Sequence, residues 1–195
     1  MLSPMGFNNT NSGSDTWGGA AEAVSFSAGL INQGRYAEAF KLLVPLRSAE
    51  NSLSPVLRPS LYFNFALCLM AAERHTEAAA ELEKALEALK RLAPAGTVRP
   101  AGAGFGSGAA GLPSAAPPAE HTEVWQKLRS AEPAGGACVR AFRSDYPSGF
   151  PREAREDITV ALIGVYERCG LGEKAKSLCA ALVGPEFEAY KRQRL

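Results

Sequence analysis

The chain has 195 residues, 46% hydrophobic and 21% charged, enough for one ordinary domain or a short array of repeats around a proper core. Its 21 basic and 20 acidic side chains leave a net charge of +1, so no overall field draws it to a phosphate backbone or an anionic bilayer. No apolar run approaches the ~20 residues of a membrane span. The polar start, Met1 to Asp15, also lacks a charged-then-apolar leader pattern. The expectation is therefore a cytoplasmic protein with no nucleic-acid partner and no membrane insertion.

Residues 1–16 are rich in Asn, Ser and Gly and show no period, which predicts a disordered tail. From Trp17 to Gln33 the apolar residues Val24, Phe26, Leu30 and Ile31 recur at helical spacing, and Gly34 supplies a stop that tolerates positive φ. A second helix from Tyr36 to about Arg47 carries Ala39, Phe40, Leu43 and Leu46 on one face. The short turn between them makes the pair an antiparallel hairpin. Pro55 and Pro59 suit a helix start, after which Leu61, Phe65, Leu69 and Met70 run to a break at Glu73 to His75. Ala78, Leu82, Ala85, Leu86 and Leu89 then mark the next helix in a stretch of strong helix formers. Residues 17–93 thus read as two hairpins.

Between Pro94 and Pro118 the composition shifts to 5 Pro, 6 Gly and 7 Ala, with Arg99 the only charge. That mixture predicts a flexible, disordered insertion over 94–119. Short helices are expected at Glu120 to Ala131, around Val124, Trp125 and Leu128, and at Ala137 to Asp145. Over 120–195 the clearer signals come later. Arg152 to Cys169 aligns Ile158, Leu162, Val165 and Tyr166, and Gly170 stops it. Gly172 to Val183 follows with Ala175, Leu178, Cys179 and Leu182 inward. A last amphipathic helix through Phe187 and Tyr190 is expected to cap the stack.

Aligned on their turns, the hairpins read Gly34-Arg35-Tyr36 with Ala39, Glu73-Arg74-His75 with Ala78, and Gly170-Leu171-Gly172 with Ala175. In each the small residue falls where the two helices cross most closely, because a larger side chain there would push the backbones apart. The same offset places Phe26 and Leu30, Phe65 and Leu69, and Leu162 and Tyr166 on the inward faces of the first helices. This pattern resembles the tetratricopeptide repeat, whose Gly-x-Tyr-x-x-Ala turn is best matched by Gly34, Tyr36 and Ala39. The resemblance covers about half the chain. It departs in spacing, with 39 residues from Ala39 to Ala78 against about 34 in the family, and in the turn aromatic, replaced by His75 and Gly172. It implies an all-α fold of antiparallel helix-hairpin repeats, a short right-handed α-solenoid interrupted by the insertion.

No catalytic, cofactor or metal constellation is present. His75 and His121 have no ligand partner at useful spacing, and the glycines from Gly102 to Gly108 follow no strand. Glu153, Glu156 and Asp157 read as acid in the first turn of a helix, where the dipole favours it. The four cysteines, Cys68, Cys138, Cys169 and Cys179, form no CxxC pair and read as reduced packing residues.

The resemblance implies a groove lined by the first helix of each hairpin, at Val24, Ala28, Ile31, Phe63, Asn64, Leu67, Met70, Val160, Gly164 and Arg168. Members that hold the acidic tails of chaperones use a Lys, Asn and Arg clamp. Only Asn64 matches it, with Val24, Ala28, Asp157 and Ala161 at the other places, so that role is disfavoured. The expectation is a non-catalytic scaffold or adaptor binding a peptide or amphipathic helix of a partner protein, with Val24, Ile31, Phe63, Asn64, Leu67, Met70 and Arg168 as contact residues. The alternative is a self-associating structural protein whose apolar groove mediates oligomerisation. A further possibility is that residues 120–145 cover Phe63, Leu67 and Met70.

Overall fold

The computed structural model describes residues 15–92, 140–184 and 187–192. Of the tail expected over 1–16, residues 1–14 lie outside the described residues, as do the 94–119 insertion and the helix expected at 120–131, while Asp15 and Thr16 belong to the first helix. Among those described there is no strand. Two long antiparallel pairs come first: α1 (Asp15–Asn32) with α2 (Tyr36–Ser48), and α3 (Arg58–Ala71) with α4 (His75–Arg91). The short α5 (Tyr146–Gly149) leads into the third pair, α6 (Pro151–Arg168) and α7 (Gly172–Ala181), and α8 (Glu188–Arg192) follows.

Local chemistry accounts for these bounds. Pro59 and Pro151 sit in first turns, where the missing N–H costs nothing. In α4, Glu77 lies in the first turn and Lys90 and Arg91 in the last, matching the helix dipole at both ends. The three hairpin turns share one geometry. Gly34, Glu73 and Gly170 take φ of 78°, 59° and 73°. The next residue donates its N–H to the carbonyl five back: Arg35 to Leu30 at 2.9 Å, Arg74 to Leu69 at 2.9 Å, Leu171 to Tyr166 at 2.8 Å. Gly34, Glu73 and Gly170 themselves donate three back, to Ile31, Met70 and Glu167, which completes a Schellman cap. Gly fits that conformation freely, whereas Glu73 adopts it against the steric cost of its Cβ.

Helices pack in chain order: α1 on α2, α2 on α3, α3 on α4, then α4 on α6 and α6 on α7, while α1 also meets α3. Ala39, Ala78 and Ala175 are all buried five residues after the left-handed turn position, consistent with close crossings. The first two hairpins join through the stacked rings of Phe40 and Phe65, 5.0 Å between centroids. The extra length between Ala39 and Ala78 goes into the connection from Ala49 to Leu57, a 3-10 turn (Glu50–Ser52) anchored by buried Leu53 and Leu57. Arg58 caps it by donating to the carbonyls of Asn51 and Leu53 at 3.3 Å.

A polar link crosses from α2 to α4. Arg47 donates twice to Glu81, both at 2.8 Å, bridges to Glu50, and lies over the Tyr62 ring; Lys84 adds a third donor to Glu81 at 2.8 Å. Burial acts to raise the Glu81 carboxyl pKa, but the hydrogen bonds from Arg47 and Lys84 outweigh it and hold the group below its ordinary range. Tyr166 of α6 donates to Glu83 of α4, tying the third hairpin to the second.

Two expectations are corrected. Phe26 does not face inward but is 56% exposed. Its counterpart Phe65 is covered by α2 of the preceding hairpin, and no described helix precedes α1 to cover Phe26 in the same way. The helix expected from Ala137 to Asp145 is absent over its described part: residues 140–143 form no regular structure and 144–145 form a turn. The N–H groups of Ala141, Phe142 and Ser144 and the carbonyl of Phe142 bond to side chains of α1 and α3, while the Arg143 carbonyl accepts both Ser60 and the Tyr146 N–H.

Candidate functional site

The face formed by α1 and α3 is where most of the expected contact residues meet. α3 has an unusual sequence for its position. Eleven of its fourteen residues are buried, Ser60 and Asn64 among them. A buried hydroxyl and a buried amide must find partners or cost about 1 to 3 kcal/mol each. Their partner is the segment 140–144, which crosses this face.

Asn64 grips Phe142 from both sides. Its Nδ2 donates to the Phe142 carbonyl at 2.8 Å and its Oδ1 accepts the Phe142 N–H at 2.8 Å. Ser60 donates to the Arg143 carbonyl at 2.9 Å, and Asn32 accepts the Ala141 N–H at 3.1 Å. Ser25 accepts the Ser144 N–H at 3.2 Å and lies 2.9 Å from the Ser144 hydroxyl. Asn64 Nδ2 also reaches the Val24 carbonyl at 3.5 Å, so the same amide touches α1.

The Phe142 ring, 2% exposed, stacks on Phe63 with centroids 3.9 Å apart. Tyr146 lies 4.8 Å beyond it and Phe150 a further 5.6 Å, so a file of four aromatics runs from the core to the surface. Ala141 is buried beside Phe142, while Arg140 and Arg143 are exposed. The segment thus turns two apolar side chains inward and its arginines to solvent.

Of the expected contact residues, Val24, Ile31, Phe63, Asn64 and Leu67 are buried in the core, Met70 is half-buried, and Arg168 is exposed at the end of α6. The structure brings Val24, Phe63 and Asn64 together around the segment. The face they form is not open, because the chain itself covers it. Sequence reasoning missed Ser25, Asn32, Ser60 and Phe142. The available signal was the pair Ser60 and Asn64, set inside an otherwise apolar helix.

The acidic residues of α6 sit beside this file of rings. Tyr146 donates to Asp157 at 3.2 Å. Burial, reinforced by Asp157, pushes the Tyr146 hydroxyl up to about 12. Burial likewise raises the Asp157 carboxyl, with Glu156 and Glu153 adding to the shift and the Tyr146 hydrogen bond opposing it. This contact positions α5 on α6.

Among the described residues no group of His, Cys, Asp and Glu is placed to hold a metal ion, and no helix is long and apolar enough to cross a membrane. Cys68, Cys169 and Cys179 are free thiols. Burial pushes the Cys68 thiol far above its usual range, and it donates to the Tyr36 carbonyl at 3.7 Å. No family model matches the chain, and no curated protein or solved structure is found to be similar to it.

Proposed function

We propose that this chain is a non-catalytic interaction scaffold, built as a short right-handed solenoid of tetratricopeptide-like hairpins, that engages a peptide or helical segment of a partner protein through the face of its first helices. The observation that carries this reading is the face itself. Side chains of α1 and α3 hold an irregular stretch of polypeptide by its main chain and bury one aromatic anchor from it. The three identical turns and the buried Ala39, Ala78 and Ala175 support the hairpin-repeat reading. An aromatic held in a pocket among hydrogen-bonded main chain is the usual currency of peptide recognition.

The test is capture of partners by the tagged full chain in its native cell, with crosslinking and mass spectrometry. A protein crosslinked to α1, α3 or α6 supports the reading. Crosslinks confined to the other helices, or a lone chain by mass with nothing captured, count against it.

A further inference from the structure

We infer that Ala141–Ser144 occupies, in cis, a docking site whose ligand class is a short non-helical peptide with one buried aromatic, so that a partner engages this face by displacing the chain's own segment. The inference rests on the scaffold reading above and specifies what its ligand looks like. Four observations carry it.

The recognition is of main chain. Over four consecutive residues, the N–H groups of Ala141, Phe142 and Ser144 and the carbonyls of Phe142 and Arg143 are each met by a side chain of α1 or α3. A helix or strand of the fold proper would satisfy these groups chiefly with other backbone, whereas among the described residues only the Arg143 carbonyl of these five also accepts a backbone N–H, that of Tyr146 at 3.2 Å. Here two helices present a row of hydroxyls and amides, which is how a surface holds a peptide whose sequence it reads only in part.

The side-chain pattern is that of a ligand with a single anchor. Phe142 stacks on Phe63 and Ala141 packs beside it, whereas Arg140 and Arg143 face solvent. The frame that supplies the row does not run through the segment: α1 packs on α2, α2 on α3 and α3 on α4 directly. The segment also arrives from far along the chain, Ser25 and Ser144 being 119 residues apart. It is thus an addition laid on two completed hairpins.

The matching ligand is a short non-helical stretch of the form small residue, aromatic, any residue, serine. Proline is excluded at the first, second and fourth places, since each contributes an N–H. The tethered segment competes at the high effective concentration of an intramolecular ligand, so a free peptide binds the intact chain weakly.

The experiment uses the full chain and a fluorescent peptide with the sequence of residues 140–145, Arg-Ala-Phe-Arg-Ser-Asp. Phe142→Ala vacates the anchor position, and the folded variant is expected to bind the peptide at least tenfold more tightly than wild type. Adding Asn64→Ala is expected to abolish that binding, as is replacing the peptide's Phe by Ala. A folded Phe142→Ala chain that ignores the peptide overturns the inference.

Amide exchange in the unmutated chain supplies a measurement that needs no variant. The Ala141, Phe142 and Ser144 amides are expected to exchange at least tenfold faster than those of Phe65 to Leu69 in α3, because the segment leaves without the helices unfolding. Equal rates overturn the inference. A captured partner that excess peptide fails to release also overturns it, while leaving the scaffold reading standing. Peptide uptake with no partner ever captured supports the site and counts against the scaffold.

Discussion

Asn64 and Phe65 are neighbours on α3 and both are buried, yet they are buried by different parts of the chain. Phe65 meets Phe40 on α2, ring on ring, in a contact between two regular helices. Asn64 meets residue 142, in a contact between a helix and an irregular stretch of chain. One side of α3 is specified by shape and apolar area, the other by a set of hydrogen bonds that exist only once the segment has arrived. The first builds the frame, and the second latches something onto it.

The comparison is broken most severely from the frame side. Phe65→Ala removes a buried ring from between two hairpins and is expected to cost about 3 to 5 kcal/mol, read as a lower denaturant midpoint for the whole chain. Asn64→Ala is expected to cost about 2 to 3 kcal/mol by stranding the Phe142 N–H and carbonyl. Its loss of amide protection should concentrate at residues 141–144, while α3 and α4 keep theirs. If both variants lose protection everywhere to the same degree, the two sides of α3 are one cooperative unit and the distinction fails.

The polar link beside the frame sharpens the contrast, because it is ionic where the latch is neutral. Glu81→Gln is expected to cost about 1 to 2 kcal/mol at pH 7 by leaving Arg47 short of its charge partner. Glu81 has its folded pKa depressed, so its contribution is present above the unfolded value of about 4.3 and is lost as pH falls through the folded one. Denaturant midpoints of wild type and Glu81→Gln should therefore converge as pH falls below the unfolded value and through the folded one, whereas the deficit of Asn64→Ala should persist there.

The smallest effect is a gain. Glu73→Gly relieves the left-handed turn of the second hairpin and is expected to add about 0.5 to 1 kcal/mol, while Gly34→Ala at the matching turn should lose about 1 kcal/mol. Thermal melts of the two variants moving in opposite directions would confirm that the turns share one strained position. Neither change should alter exchange at Phe142.

The hairpins were legible in the sequence because their causes are local. A 3.6-residue period, a glycine or its substitute at a left-handed turn, and an alanine five positions on are all written within one hairpin, and Ala39, Ala78 and Ala175 are indeed buried. The inward placement of Phe26 failed because periodicity identifies an apolar face without saying whether a neighbour exists to cover it. The segment at 140–144 was misread as helix for a related reason. Its conformation is set by Asn64, Ser60, Asn32 and Ser25, none of them near it in sequence. Asn64 holds residue 142 of its own chain, and nothing local to α3 says which stretch of polypeptide its amide will hold.

Holding the segment by its main chain also sets the terms on which this protein can drift. Mutations at Arg140 and Arg143 change groups that face water, so a lineage can exchange them with little penalty. Phe142 and Phe63 are free to change only as a matched pair, and Asn64 scarcely at all, because no other side chain of that length offers a neutral donor and acceptor to one residue's N–H and carbonyl at once. Descendants of this chain would therefore diverge fastest at the two arginines and slowest at the asparagine beneath them, in a pattern that owes nothing to the order of residues along the segment.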